Sequence, residues 1–276
     1  MPNNDQVVKE VTSVKERFSL KGKQAVVTGA KGGIGKATAT AFGELGANVA
    51  VVDLPSMMEE SKRVADSIAQ KYGVKTIALG VDLTKEDDVK KMVTDTVEAF
   101  GTIDVVHSNA GIFALGDNPS MPLADFKRII DINLIGMFMV NRECADLMVA
   151  HKHGGSIINT VSMSGTIINP TRTETDYMVA YTASKGCAKH LTKGSAVNYI
   201  QHGIRINSTS PGYPISGAPA AMRQTYVDSS AHSVPQKRFG ELDETVVIPC
   251  LLASDLCTYV AGSSVSIALG ACVSRT

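Results

Sequence analysis

The sequence has no excess of charge of either sign: Lys and Arg together number 27, and so do Asp and Glu. A general nucleic-acid binder depends on clustered positive charge facing phosphates, so that class is not expected. Long hydrophobic runs are also lacking. The most apolar stretch, residues 129–140, is interrupted by Asp131 and Asn133 and is too short to cross a bilayer, so no membrane partner is expected. Residues 1–18 lack an apolar signal-peptide core and contain Asp and Glu, unlike a transit peptide; the expectation is a cytoplasmic protein. Cysteine is sparse and unpatterned. Cys144, Cys187, Cys250, Cys257 and Cys272 have no metal-ligand spacing and read as buried or free thiols in a reducing compartment, with no metal expected.

What is present is enough apolar side chain, 44% of 276 residues with 20% charged, for a large core. Short β-branched runs at 24–28, 48–52, 75–79, 103–106, 156–159 and 204–208 alternate with helical patterns. In the helix over 86–100, Val89, Met92, Val93, Val97 and Phe100 share one face. Apolar strands alternating with helices predict an α/β fold, a Rossmann-type doubly wound parallel sheet with helices on both faces. No linker or repeat divides the chain, so one domain is expected over 18–276, after an N-terminal extension at 1–17. The irregular segment 212–238, with three prolines, reads as a substrate lid.

Thr28-Gly-Ala-Lys-Gly-Gly-Ile-Gly35 follows a predicted strand and opens a predicted helix. Its glycines permit a tight turn and close backbone approach to a pyrophosphate, which the free N–H groups of the helix start then meet. Asp53 ends the second strand, where a carboxylate accepts from adenine-ribose hydroxyls and repels a 2′-phosphate. Lys31 and Lys36 lie near the loop, but the adjacent carboxylate points to NAD rather than NADP. Tyr181-Thr-Ala-Ser-Lys185 sets a phenol and an ammonium on one helix face, and a nearby cation favours the phenolate of a general base. Ser162, just past the fifth strand, falls on the same carboxyl edge of the sheet as the glycine loop.

These residues together resemble the short-chain dehydrogenase/reductase family from about residue 20 onward. The glycine motif matches Thr28, Gly29, Gly33, Ile34 and Gly35; the Asp-Leu pair matches Asp82-Leu83, and the Asn-Ala-Gly element matches Asn109-Ala110-Gly111. Asn133, Ser162, Tyr181 and Lys185 fall on the family's catalytic positions, and Asn207 and Pro211-Gly212 match its later motifs. The resemblance implies a proton exchanged at Tyr181, Lys185 holding the nicotinamide ribose, Ser162 bonding the reacting oxygen, and Asn133 helping to hold a relay water. Cofactor contacts are implied at Gly29, Gly32, Gly33, Ile34, Asp53, Asp82, Leu83, Asn109, Ala110, Gly111, Tyr181, Lys185, Pro211, Gly212, Ile215 and Ser216. A homo-oligomer, tetramer or dimer, is implied as well.

The chain departs from the family pattern in two places. The interval from Ser162 to Tyr181 is longer than usual, with extra residues around 171–176, and the family's Asp-Gly-Gly is replaced by Ala268-Leu269-Gly270. The run from Ser162 to Asn169 is similar to the sugar-alcohol branch, the sorbitol-, mannitol- and arabinitol-type dehydrogenases. The implied reaction is hydride transfer between NAD and a secondary alcohol or ketone, a polyol or sugar. Candidate polyol contacts are His107, Ser164, Asn169, Thr171, Arg172 and Glu174. Met222 within the lid keeps a hydrophobic carbonyl substrate as a rival, such as a hydroxysteroid or aryl ketone. A non-catalytic, cofactor-sensing protein is the third reading. His151 and His153 read as a solvated helix end, and Met137, Met139 and Met148 as adaptable core.

Overall fold

The structure, a computed structural model, describes residues 13–113, 119–168, 178–215 and 234–272. Seven strands form one sheet: β1 (Gln24–Thr28), β2 (Asn48–Asp53), β3 (Thr76–Gly80), β4 (Val105–Ser108), β5 (Gly155–Thr160), β6 (Ile204–Pro211) and β7 (Ser264–Ile267). All neighbours are parallel, in the order β3-β2-β1-β4-β5-β6-β7. The chain winds outward from β1 to β3, then returns to lay β4 on the other side of β1. That reversal leaves a crevice between the carboxyl ends of β1 and β4, where open parallel sheets bind ligands.

Successive strand residues face opposite sides of the sheet, and both sides are covered. On one side Ala25, Val27, Val49 and Val51 pack against Phe42 of α2 (Gly33–Glu44), Ile68 of α3 (Met58–Tyr72) and Leu252 of a C-terminal helix, Leu242–Ala253. On the other, Val26, Ala50, Val106 and Ile157 meet Met92 of α4 (Glu86–Phe100). The same cluster takes in Val140 and Met148 from Met137–His151 and Ala196 from Val179–Tyr199. Met137, Met139 and Met148 are buried, as the core reading expects.

The expected helix over 123–150 is a relay of three pieces. An α-helix at Leu123–Ile130 passes into a π-helical turn at Asp131–Gly136 and continues as an α-helix at Met137–His151. Such turns insert a residue into the helical ladder and concentrate at functional sites. Across the end of the expected N-terminal extension, a short helix, α1 (Val14–Phe18), docks through Arg17, whose guanidinium donates to the Asp255 carbonyl at 2.7 and 3.2 Å. Of the expected lid, residues 216–233 lie outside the described residues, as do Asn169, Thr171, Arg172 and Glu174. No helix among the described residues is long and apolar enough to cross a membrane.

Phe42 has no exposed surface and joins α2 to the sheet. Phe42→Ala is expected to cost about 3–5 kcal/mol, read as a lower urea midpoint with an unchanged denaturant slope.

Candidate active site

The crevice is locked by Thr28 at the end of β1. Its hydroxyl accepts from the backbone N–H groups of Asn109 and Ala110, at 3.0 and 3.1 Å, and so ties β1 to the segment after β4. The Asn109 amide donates back to the carbonyls of Thr28, at 3.1 Å, and Gly29, at 3.4 Å. Glycine is required where this clasp closes. Gly29 has φ +67°, and a Cβ there would lie 2.8 Å from Ala110 Cα; a Cβ on Gly35 would run into the Gly29 carbonyl.

The same loop is open towards the crevice. Gly32 precedes α2 with no side-chain cap, and a Cβ added to it would meet nothing within 4 Å. Uncapped N–H groups beside free space suit the phosphates of a dinucleotide, and the first turn contains no acidic residue to oppose them. Asp53 stands beside the loop. One carboxylate oxygen accepts from Lys31 N–H at 3.1 Å and the other from Leu54 N–H at 2.9 Å. The Lys31 ammonium turns away to the Met57 sulfur, 3.1 Å distant.

Asp82 is engaged locally: one oxygen accepts from both the hydroxyl (2.7 Å) and the N–H (3.1 Å) of Thr84, and the other lies 3.5 Å from Lys85. The Thr84 hydroxyl above all holds this carboxyl below the usual carboxylate range. Leu83 is buried against Gly136 in the π-helical turn, where a Cβ would come within 3.0 Å of it.

That turn presents Asn133, which is fully buried. Its side chain accepts from Ile112 N–H and donates to the Ile112 carbonyl, both at 2.8 Å, and its second amide hydrogen goes to Ser184 Oγ at 3.1 Å. Ser184 Oγ in turn donates to the Tyr181 carbonyl at 2.7 Å. Both amide hydrogens of Asn133 are thus committed to holding the strand β4 exit against the helix that carries Tyr181.

Tyr181 lies near the start of that helix, Val179–Tyr199, with Lys185 one turn later. Lys185 is 2% exposed, and its ammonium donates to the Thr160 carbonyl at 2.9 Å. The Lys185 nitrogen is 5.7 Å from the centre of the Tyr181 ring. Burial without a carboxylate partner pushes this ammonium down to about 8. Gly111 borders the same space, since a Cβ there would sit 3.4 Å from Lys185 Nζ and 3.1 Å from Asn133 Oδ1. Phe113, exposed on its other side, meets the Tyr181 ring edge-on at 6.4 Å between centres.

Ser162 caps a single 3-10 turn, Met163–Gly165, by accepting from Ser164 N–H at 3.1 Å, and it donates to Ser164 Oγ at 3.2 Å. The turn abuts the Lys185 backbone closely enough that a Cβ on Gly165 would come within 2.7 Å of the Lys185 carbonyl. At the far side β6 ends at Pro211, and Gly212 N–H donates to the Ile267 carbonyl while pressing on Ala268. Ile215 N–H donates to the Gly240 carbonyl, and Ser216 lies outside the described residues.

The structure corrects one expectation. His107 is not available to a polyol: the alternation of β4 turns it onto the α2 side of the sheet, where it is fully buried 6.4 Å from the Phe42 ring. Thr160 and Ser184 are the participants that motif reading passed over. Thr160 was detectable only through register, because its place two residues before Ser162 puts its carbonyl beneath the helix of Lys185. Among the described residues no cluster of three or more His, Cys, Asp or Glu side chains is arranged for a metal.

Known proteins resemble this chain over most of its length. The family model for short chain dehydrogenases matches residues 23–226. Sorbose reductase of Candida albicans is 35% identical over 259 residues, covering 93% of this chain and 89% of the relative. A solved short-chain type dehydrogenase/reductase from Mycobacterium marinum superposes with a TM-score of 0.86 at 38% identity, over 94% of this chain and 99% of that one. The NADPH-dependent 3-quinuclidinone reductase of Rhodotorula rubra gives a TM-score of 0.85 at 29% identity, over 99% of this chain and all of that one, 100%. With the family model spanning most of the sheet and its carboxyl edge, the chain belongs to the short-chain dehydrogenase family of oxidoreductases.

Proposed function

We propose that the protein is an NAD-dependent dehydrogenase or reductase that interconverts a secondary alcohol and its ketone, with a polyol or sugar as substrate. The observation that carries the reading is the buried Lys185 ammonium, fixed on the Thr160 carbonyl beside Tyr181 and bordered by Gly111. A bound nicotinamide supplies or accepts the hydride. Tyr181 takes the hydroxyl proton when the alcohol is oxidised and returns it when the ketone is reduced. Lys185 favours the phenolate of Tyr181 by its charge and is placed to hold the nicotinamide ribose. Ser162 bonds the reacting oxygen, and Asn133 keeps the segment after β4 in register with Tyr181. The glycine loop with Asn109, Ala110 and Gly111 holds the dinucleotide, and Asp53 meets its adenine ribose.

Asp53 supports NAD: one of its oxygens is held at the loop by Lys31 N–H, while the Lys31 ammonium lies on Met57. The likeness to a sorbose reductase supports a sugar or polyol. The exposed Phe113 ring beside Tyr181 favours the rival hydrophobic ketone, as does the likeness to a 3-quinuclidinone reductase. A homo-oligomer in a reducing, cytoplasmic setting completes the proposal. Exposed Phe138, Val197 and Ile200 are apolar side chains that a second copy would cover, and the described cysteines are free.

Tyr181→Phe should lower turnover by about 10²–10⁴-fold while leaving NADH affinity within about twofold, measured by steady-state rates and fluorescence titration. Asp53→Ala should shrink the NAD-over-NADP ratio of kcat/KM by about tenfold, the equivalent of 1.4 kcal/mol. A substrate panel of polyols, sugars, hydroxysteroids and aryl alcohols, run with each cofactor, separates the two substrate readings.

The burial of Lys185 leaves a signature independent of activity. Its proton is lost near pH 8 in the folded chain but near 10.5 when unfolded. Between those values the unfolded chain holds the extra proton, so folding stability rises with pH, by up to about 1.4 kcal/mol per pH unit. Below pH 8 both states keep the proton and the dependence is flat. Urea unfolding across this range should show the rise in the wild type relative to Lys185→Met.

A further inference from the structure

His107 is a fully buried ionisable side chain to which the proposed reaction assigns no part. Its Nε2 lies 2.8 Å from the Thr160 hydroxyl, and that hydroxyl lies 3.2 Å from Asn109 Oδ1. The Asn109 amide hydrogens face the Thr28 and Gly29 carbonyls, so the oxygen of Asn109 faces Thr160 and can only accept. Thr160 has one hydroxyl hydrogen, and this acceptor requires it. The Thr160 oxygen must then receive its own hydrogen bond from His107, which fixes the imidazole as the Nε2–H tautomer. The remaining ring nitrogen, Nδ1, has no partner among the described residues, in keeping with a bare lone pair rather than a stranded N–H.

We propose that His107 is a positioning residue for the dinucleotide: its Nε2–H sets the direction of the Thr160 hydroxyl, which clamps Asn109 against the glycine loop. This rests on the reading that the loop holds a nicotinamide dinucleotide. The chain of bonds runs His107 to Thr160 to Asn109 to Thr28 and Gly29, from β4 to the end of β5, back to the segment after β4 and on to the end of β1. Thr160 serves a second purpose, because its carbonyl is the acceptor for Lys185. A rotated Thr160 hydroxyl would leave Asn109 Oδ1 without its donor at the point where Gly29 and Gly35 leave no room for adjustment. Burial holds the His107 imidazole down to about 3, so it remains a neutral donor through the working range.

The experiment compares NADH dissociation constants, by fluorescence titration at neutral pH, for wild type, His107→Val and His107→Gln, with melting temperatures for each. Gln can carry an amide N–H to the position of Nε2, whereas Val cannot. His107→Val should weaken NADH binding by about tenfold, roughly the value of one lost hydrogen bond. His107→Gln should recover it to within about threefold, even if both variants melt lower. Equal affinity in wild type and His107→Val overturns the inference and leaves His107 as core filling; equal loss in both variants overturns it as well. Wild-type protein that binds neither NADH nor NADPH overturns the cofactor reading itself, and this inference with it. Should His107→Val fail to fold, nitrogen NMR of labelled histidine decides: an Nε2–H ring supports the assignment, and an Nδ1–H ring overturns it.

Discussion

A lysine ammonium buried without a carboxylate sets the terms for the rest of the site. Removing such a charge from water is costly, and among the described residues the ammonium's one hydrogen-bond acceptor is the Thr160 backbone carbonyl. The surrounding structure has to hold that geometry firmly. The helix carrying Lys185 is pressed onto the turn after β5, where Gly165 leaves space only for hydrogen. It is also tethered through Ser184 to Asn133, and through Asn133 to the exit of β4. Packing and hydrogen bonds from these elements thereby fix the helix that carries the cation, and the cation remains next to Tyr181.

The second constraint is the join between β1 and β4, where the winding of the sheet reverses. Parallel strands alone would leave two loops diverging at this point. The Thr28 hydroxyl and the Asn109 amide draw them together, and the missing side chains of Gly29 and Gly35 make the approach possible. The result is a loop rigid on its protein side and open at Gly32. Preorganisation of this kind lets a ligand bind without first ordering the backbone. Since Thr160 reaches both Asn109 and Lys185, the two ends of the crevice share one strand terminus.

Much of this was legible in the sequence, for identifiable physical reasons. Six strands show as β-branched runs because both faces of a parallel sheet are buried, and the glycine loop shows because only glycine fits it. β7 was not recognised: Ser264–Ile267 is four residues long with alternate serines. The helix Leu242–Ala253 was missed because Pro249 lies inside it, and its N-terminal signal is a Glu241–Glu244 capping box rather than a Ser or Thr start. The π-helical turn has no sequence mark beyond Asn133 itself. A histidine near a site motif suggests a ligand contact, whereas strand alternation places His107 in the core on the α2 side of the sheet. Residues 169–177 before Tyr181 and 216–233 after Gly212, where the sequence predicts the substrate mouth and a lid, fall outside the described residues.

The central claim is that the carboxyl edge of this sheet forms one crevice, running from the glycine loop to Tyr181 and Lys185, shaped for a nicotinamide dinucleotide. A crystal structure grown with NADH tests it most directly. The account predicts the pyrophosphate on the N–H groups that follow Gly32, the adenine ribose at Asp53, and the nicotinamide ribose within hydrogen-bond reach of Lys185. A dinucleotide seated elsewhere on the molecule, with this edge of the sheet empty, would contradict it.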